Sequence, residues 1–270
     1  MQKVRSIMGL FIICFLTTFF ACSIGTICGM GGGIIIKPVL DATGVMSVST
    51  ITFMSGCTVI AMTCWSVGKT MLKKESVIDL KNTTYLAIGA AIGGLLGKQL
   101  YNMTAKLFAN ADTAGGVQAA LLLIATLATF IYTINKNKIT ARKITSPIIA
   151  IIIGLFLGIL GSFLGIGGGP FNVAVLYYFF SMNTKTATQN SLYIVLFSQV
   201  TSTLKTVCFD TIPSFDVFIL IGMIIFGIAG SEFGRQINKK IDDRQATWLF
   251  EGAMLLIMCI NIYNIIKFLF

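Results

Sequence analysis

Ten apolar stretches separated by short polar or charged intervals run the length of the chain, at residues 7–20, 34–42, 45–68, 80–100 and 114–134, then 148–164, 170–181, 183–204, 217–237 and 246–270. Most approach the ~20 apolar residues that a helix needs to cross a ~30 Å hydrocarbon layer. Two do not. Counted from the glycines just before it, the stretch at 34–42 is about a dozen residues long and would rise only ~18 Å as a helix, and 170–181 is its match. The pattern predicts an all-α polytopic membrane protein of 8–10 membrane elements, with two short helices broken off from their neighbours by glycine. The opening segment, with Lys3, Arg5 and the run 7–20, has the look of a signal peptide. Its alignment with the internal run 148–164 identifies it instead as the first transmembrane helix.

The glycines before the short helices recur. Gly25, Gly29, Gly31, Gly32 and Gly33 reappear 136 residues later as Gly161, Gly165, Gly167, Gly168 and Gly169. At the same offset Thr50 meets Thr186, Ser55 meets Ser191, Val59 meets Val195, Ser66 meets Ser202 and Lys69 meets Lys205. The chain therefore divides into a first repeat at 1–134, a basic connection at 135–145 and a second repeat at 146–270. Glycine is costly in a helix. Close helix contact explains Gly25/Gly29 and Gly161/Gly165 as GxxxG pairs as well as any other reading. It explains the triplets poorly, because three consecutive glycines bare every face of a turn. Irregular backbone at membrane depth is tolerated where it lies inside protein or lines a cavity, and duplicated breaks of this kind mark transporter binding sites. No Lys-Ser/Thr follows as in a phosphate loop, and no strand precedes as in a dinucleotide fold.

Polar positions cluster in the element after each short helix. The run Thr188-Gln189-Asn190-Ser191 stands out, because amides are dearer to bury than hydroxyls, and with Ser55 it is a candidate lining. Gly93/Gly97 and Gly230/Gly234 have the spacing of close helix packing. Among carboxylates, Asp41, Glu232 and Glu251 are near apolar elements; Asp41 and Glu251 are the candidates for energy coupling.

Composition narrows the class. The chain is 56% hydrophobic and 11% charged, outside the range of soluble domains. Its net charge of +10 sits in short loops, where anionic lipid headgroups explain it without nucleic acid. Histidine is absent, and the 7 cysteines form no CxxC pair, so neither a metal nor a cofactor is expected. Nor do paired carboxylates or a nucleophile–base set suggest an enzyme.

Loop charge orients the halves. Loop 69–81 has four lysines and loop 98–112 two, whereas the equivalent 205–213 has one and 235–246 has four Lys/Arg. The rich loop changes place, which predicts inverted repeats with an odd number of crossings each and loops 69–81, 135–145 and 235–246 in the cytoplasm. This leaves Lys3 and Arg5 outside. Re-entrant short segments within eight spans are the alternative.

The doubled GxxxGxGGG motif, the Ser/Thr-rich element after it and the GxxxG-plus-basic element beyond together resemble the sulfite exporter TauE/SafE family of membrane permeases along essentially the whole chain. Pro38 matches a proline common in that family after each glycine cluster; the second half has Ala174 at that place and Pro170 nearer. The resemblance implies a multi-pass protein of the plasma membrane that moves small sulfur-containing anions such as sulfite, sulfonates or sulfoacetate as a secondary permease. The physics of the motif agrees with an anion. A helix that starts at bare glycine offers unpaired N–H groups and the positive end of its dipole. The expected binding set is Gly29, Gly31, Gly32, Gly33, Ser55, Gly165, Gly167, Gly168, Gly169, Gln189, Asn190 and Ser191. The expected partners are the lipid bilayer and a small anionic substrate, and a homo-oligomer is compatible with the pattern. A structural or assembly protein whose glycines serve packing alone is the competing class.

Overall fold

The computed structural model describes residues 2–73, 76–107 and 111–269, and among these all regular structure is helical, without a strand. The helices are α1 (Gln2–Cys28), α2 (Gly33–Thr43), α3 (Val48–Leu72), α4 (Leu80–Leu107), α5 (Ala111–Asn135), α6 (Pro147–Phe163), α7 (Pro170–Phe180), α8 (Thr184–Phe209), α9 (Val217–Lys240) and α10 (Asp243–Leu269). Six of them, α1, α3, α5, α8, α9 and α10, are long and apolar enough to cross a membrane. The two short helices predicted after the glycine clusters are α2 and α7, of 11 residues each.

Local chemistry sets the boundaries. Ser47 caps α3 by accepting from Thr50 N–H at 3.2 Å, and Asn183 caps α8 at the equivalent place by accepting from Thr186 N–H at 2.9 Å. Pro147 and Pro170 open α6 and α7, where a missing N–H is harmless. Gly44, at φ 66°, closes α2 in the left-handed conformation. The loops are shorter than the charge pattern suggests: residues 98–107 of the predicted loop 98–112 continue α4, and α9 and α10 extend into 235–246 from both sides. Apolar periodicity fades where these helices leave the apolar layer, so their polar ends read as loop.

Lipid provides no hydrophobic drive between helices, so packing rests on close backbone approach. A β-carbon on Gly89, Gly93 or Gly97 of α4 would lie 2.0, 2.2 or 2.4 Å from the carbonyls of Ile151, Leu155 and Ile159 on α6. Gly154 and Gly158 of α6 press back on Leu86 and Ala90. In the same way Gly230 and Gly234 of α9 lie on the carbonyls of Phe19 and Ser23 of α1. Each half thus lends its fourth helix to the first helix of the other. Outward-facing Ile12, Leu16, Ile124, Ile131, Phe218 and Ile225 supply the apolar coat.

Contacts sort the polar segments between two ends. At one end Lys69 Nζ pairs with Glu232 at 3.1 Å, Val77 N–H donates to Gln189, Asp243 accepts from Thr184 and Lys185 N–H, and Arg142 N–H donates to the Tyr178 carbonyl. At the other end Thr50 Oγ1 donates to the Ser214 carbonyl, Asn102 Nδ2 to Asp210, and Lys267 Nζ to the Asp41 carbonyl. Leu10 and Phe11 of α1 border the same cavity as Ser214, so α1 starts at this second end and α2 returns to it. By the same test α6 starts at the first end, and α7 returns there to meet Arg142.

Candidate functional site

The site begins with four backbone angles. Gly29, Gly31, Gly165 and Gly167 have φ of 72°, 72°, 70° and 74°, the left-handed region that an L side chain enters only at a cost. Each loop is closed by an equivalent bond: Met30 N–H donates to the Gly25 carbonyl at 3.0 Å and Ile166 N–H to the Gly161 carbonyl at 3.1 Å. A β-carbon on Gly25 would fall 2.6 Å from Gly31 C, and one on Gly161 2.9 Å from Gly167 C. Gly25 and Gly161 are therefore small so that their own loops can fold back on them, and the GxxxG helix-packing explanation does not hold for either.

The two loops meet. A β-carbon on Gly33 would stand 2.8 Å from the Ile166 carbonyl, 3.1 Å from Val59 and 3.3 Å from Ser55 Oγ. Gly31 faces Val195 and Val59, and Gly168 faces Val195 and the Asn172 amide. Each loop also rests on the third helix of the other half: Gly29 lies on the backbone of Thr188, and Gly165 on the Thr52 side chain. Residues 29–33 and 165–169 are buried throughout. Among the described residues the N–H groups of Gly33, Ile34, Gly168 and Gly169 have no hydrogen-bond acceptor, while Gly32 N–H is left with only the Met62 sulfur at 3.3 Å. Ser55 Oγ, Thr188 Oγ1, Asn172 Oδ1 and Gln199 Oε1 are likewise buried without a partner. Buried polar groups are almost always paired, so this concentration of unmet donors and acceptors makes the seam the candidate site.

The polar run on α8 has other duties in this state. Ser191 Oγ donates to the Gly29 carbonyl at 2.5 Å and so holds the first loop. Asn190 Oδ1 accepts from Asp79 N–H and Thr83 Oγ1, and its amide donates to the carbonyls of Thr186 and Val77. Gln189 is partly exposed and accepts from Val77 N–H. These side chains fasten loop and segment; Ser55, the counterpart of Ser191, and Thr188 are the hydroxyls left free at the seam.

The structure gives Asp41, a coupling candidate from the sequence, a partner that pattern alone passed over, Lys37. Lys37 and Asp41 on α2 are 3% and 4% exposed and form an ion pair at 2.7 Å. The Lys37 Cε lies 3.2 Å from where a Gly165 β-carbon would stand, so the ammonium borders the seam. Their spacing of four within a short apolar helix was the available signal. Glu232, by contrast, is held at one end by Lys69, Arg235 and Trp65, and Glu251 is half-buried on α10.

A cavity of about 570 Å³ lined by Met46, Ser47, Thr50, Ser214 and Asp216 opens at one end, and one of about 310 Å³ lined by Lys136, Tyr177, Met182, Asn183, Thr184 and Asp243 at the other. Met46 and Ser47 are the repeat equivalents of Met182 and Asn183. Burial holds Lys136 below the ordinary lysine range, with Asp243 and Glu251 opposing that shift.

Comparison with known proteins agrees with this architecture. A probable membrane transporter protein, YunE of Bacillus subtilis (strain 168), is 23% identical over 280 residues, covering 94% of this chain and 98% of its own length. No solved structure matches the chain. The family model of the sulfite exporter TauE/SafE matches residues 14–262, and with glycine loops, short helices and crossed helix pairs spread over that same span, the chain belongs to the sulfite exporter TauE/SafE family.

Proposed function

We propose that this membrane transporter is a secondary permease for small sulfur-containing anions such as sulfite, sulfonates or sulfoacetate, working by alternating access around the seam of the two glycine loops. The observation that carries this reading is the meeting of two glycine-led helix starts with unpaired N–H groups. Those donors and the positive ends of two helix dipoles suit an oxyanion, and a glycine backbone lets it approach. Ser55 Oγ adds a neutral donor. A cation finds little here, because Asp41, the carboxylate on the short helix α2, is already paired with Lys37.

An inverted relation between the repeats would fit such a transport cycle. Residues 69–73 and 76–81 lie at one end with 235–246 and the connection 135–145, and residues 98–107 and 205–213 of the poorer segments lie at the other. Each short helix returns to the end where its predecessor began, so each half makes a net three crossings. With the basic end in the cytoplasm, the two cavities become alternate vestibules on either side of an occluded seam.

Purified protein in detergent tests the reading. Sulfite or a small sulfonate should raise its thermal stability by mass action, about 2.7 kcal/mol at a hundredfold excess over the dissociation constant. A scaffold would gain nothing from any anion, and stabilisation by cations or amino acids alone would show the substrate class to be wrong.

A further inference from the structure

Building on the permease reading, we propose that Lys37 and Asp41 couple the anion to a proton: Lys37 leaves Asp41 to pair with the bound anion, and Asp41 takes up one proton as it is left. The bookkeeping of charge argues for it. The resting pair is neutral, buried and 2.7 Å apart, and Lys37 reaches the second glycine loop at Gly165. An anion entering the seam brings one uncompensated negative charge beside that ammonium. If the ammonium turns to the anion, Asp41 is a lone carboxylate in an apolar interior, a state that proteins avoid by protonation. Anion, ammonium and neutral carboxyl then sum to zero, as the resting pair did. One anion and one proton cross per cycle, with no net charge moved.

The surroundings of Asp41 fit the second half of that exchange. Its Oδ2 accepts from Lys37, while Oδ1 is buried with no partner among the described residues. Asp41 also lines a small cavity of about 10 Å³, the room of a single water, with Lys37, Gln118 of α5 and Asn261 of α10. Gln118 Oε1 is also buried and unpartnered, and Asn264, one turn beyond Asn261, leaves its Oδ1 unpartnered as well. Gln118, which lines the cavity with Asp41, offers an unpartnered acceptor for a carboxyl proton there. Among the described residues the other groups that face the pair do not supply a competing carboxylate. From α10, Lys267 donates to the Asp41 and Ala42 carbonyls. From α4, Lys98 lies within electrostatic reach of Lys37, and Tyr101 of Asp41. Thr52 of α3 meets Gly165 beside the Lys37 stem, and Cys22 of α1 faces the start of α2 at Gly32. The repeat equivalents of Lys37 and Asp41 are Val173 and Tyr177, so one half alone carries the device, as a stoichiometry of one requires.

Proteoliposomes and methanesulfonate, which stays ionised and carries no proton of its own, provide the test. Wild-type protein should accumulate it when the interior is made alkaline, acidify the interior as it does so, and ignore a potassium–valinomycin potential. Asp41→Asn keeps the ammonium but cannot take the proton; its transport should move no protons and become potential-driven. Lys37→Gln should lose anion-dependent thermal stabilisation. If either single variant fails to fold, Lys37→Gln/Asp41→Asn, which buries no charge, should fold and show neither proton movement nor response to a pH gradient. Potential-driven, proton-free transport by the wild type overturns the coupling and leaves the permease reading standing. A pH-gradient response retained by Asp41→Asn or by the double variant also overturns it. A wild type that moves neither methanesulfonate nor sulfite under any gradient overturns both.

Discussion

Gly31 separates two effects that its neighbours combine. A β-carbon there has room, with Val195 Cγ1 nearest at 3.4 Å, yet the backbone is left-handed at φ 72°. Gly31→Ala should therefore cost only conformational strain, about 1–2 kcal/mol, read as a lowered thermal midpoint in detergent. Gly168 is the opposite case: its β-carbon would fall 2.2 Å from Val195 Cγ2, and Gly168→Val should abolish transport while the protein still inserts. Full transport by both Gly32→Val and Gly168→Val would contradict the backbone cradle. Recurrence in the sequence was enough to locate these loops, but which glycines are left-handed depends on the path of the loop, which spacing does not encode. Asn190 shows the same limit. Its amide is polar enough to line a cavity, and only the approach of residues 77–83 commits it elsewhere. Asn190→Leu leaves Asp79 N–H and Thr83 Oγ1 without their acceptor, at roughly 1–3 kcal/mol each. That loss should appear equally with and without anion; a loss confined to the anion response would place the amide on the substrate.

Helix pairs obey simpler rules, and here the sequence was most readable. Gly93 and Gly97, like Gly230 and Gly234, were expected at close helix contacts and lie on the backbone of α6 and α1. The partners themselves were not legible, because a stripe of small residues says that something comes close without saying what. Gly93→Leu must force α4 from α6 and should destabilise by about 1–3 kcal/mol or more, seen in thermal unfolding. Gly252 is the control. Nothing lies within 4 Å of its β-carbon position, so Gly252→Ala should stabilise α10 by up to about 1 kcal/mol. The ends of α4, α9 and α10 escaped the pattern for a physical reason: a helix continuing past the apolar layer needs no apolar face there.

For the whole molecule, orientation and substrate are the two expectations to measure. With the exposed native Cys64, Cys208 and Cys259 replaced, a cysteine at Lys240 should react only from the cytoplasmic side and one at Ile212 only from outside. Labelling of both from one side would contradict the inverted halves. The expectation rests on the loop charges, because lysine and arginine report sidedness directly. They are silent about depth, and so about where the short helices end, which depended on contacts such as Lys267 with the Asp41 carbonyl. Substrate is the central matter, and uptake of radiolabelled sulfite and methanesulfonate into proteoliposomes of wild type and Gly168→Val tests it most directly. Saturable accumulation by the wild type that is absent from an inserted Gly168→Val is the predicted result; no accumulation of any sulfur oxyanion by the wild type, or equal accumulation by both, would contradict it.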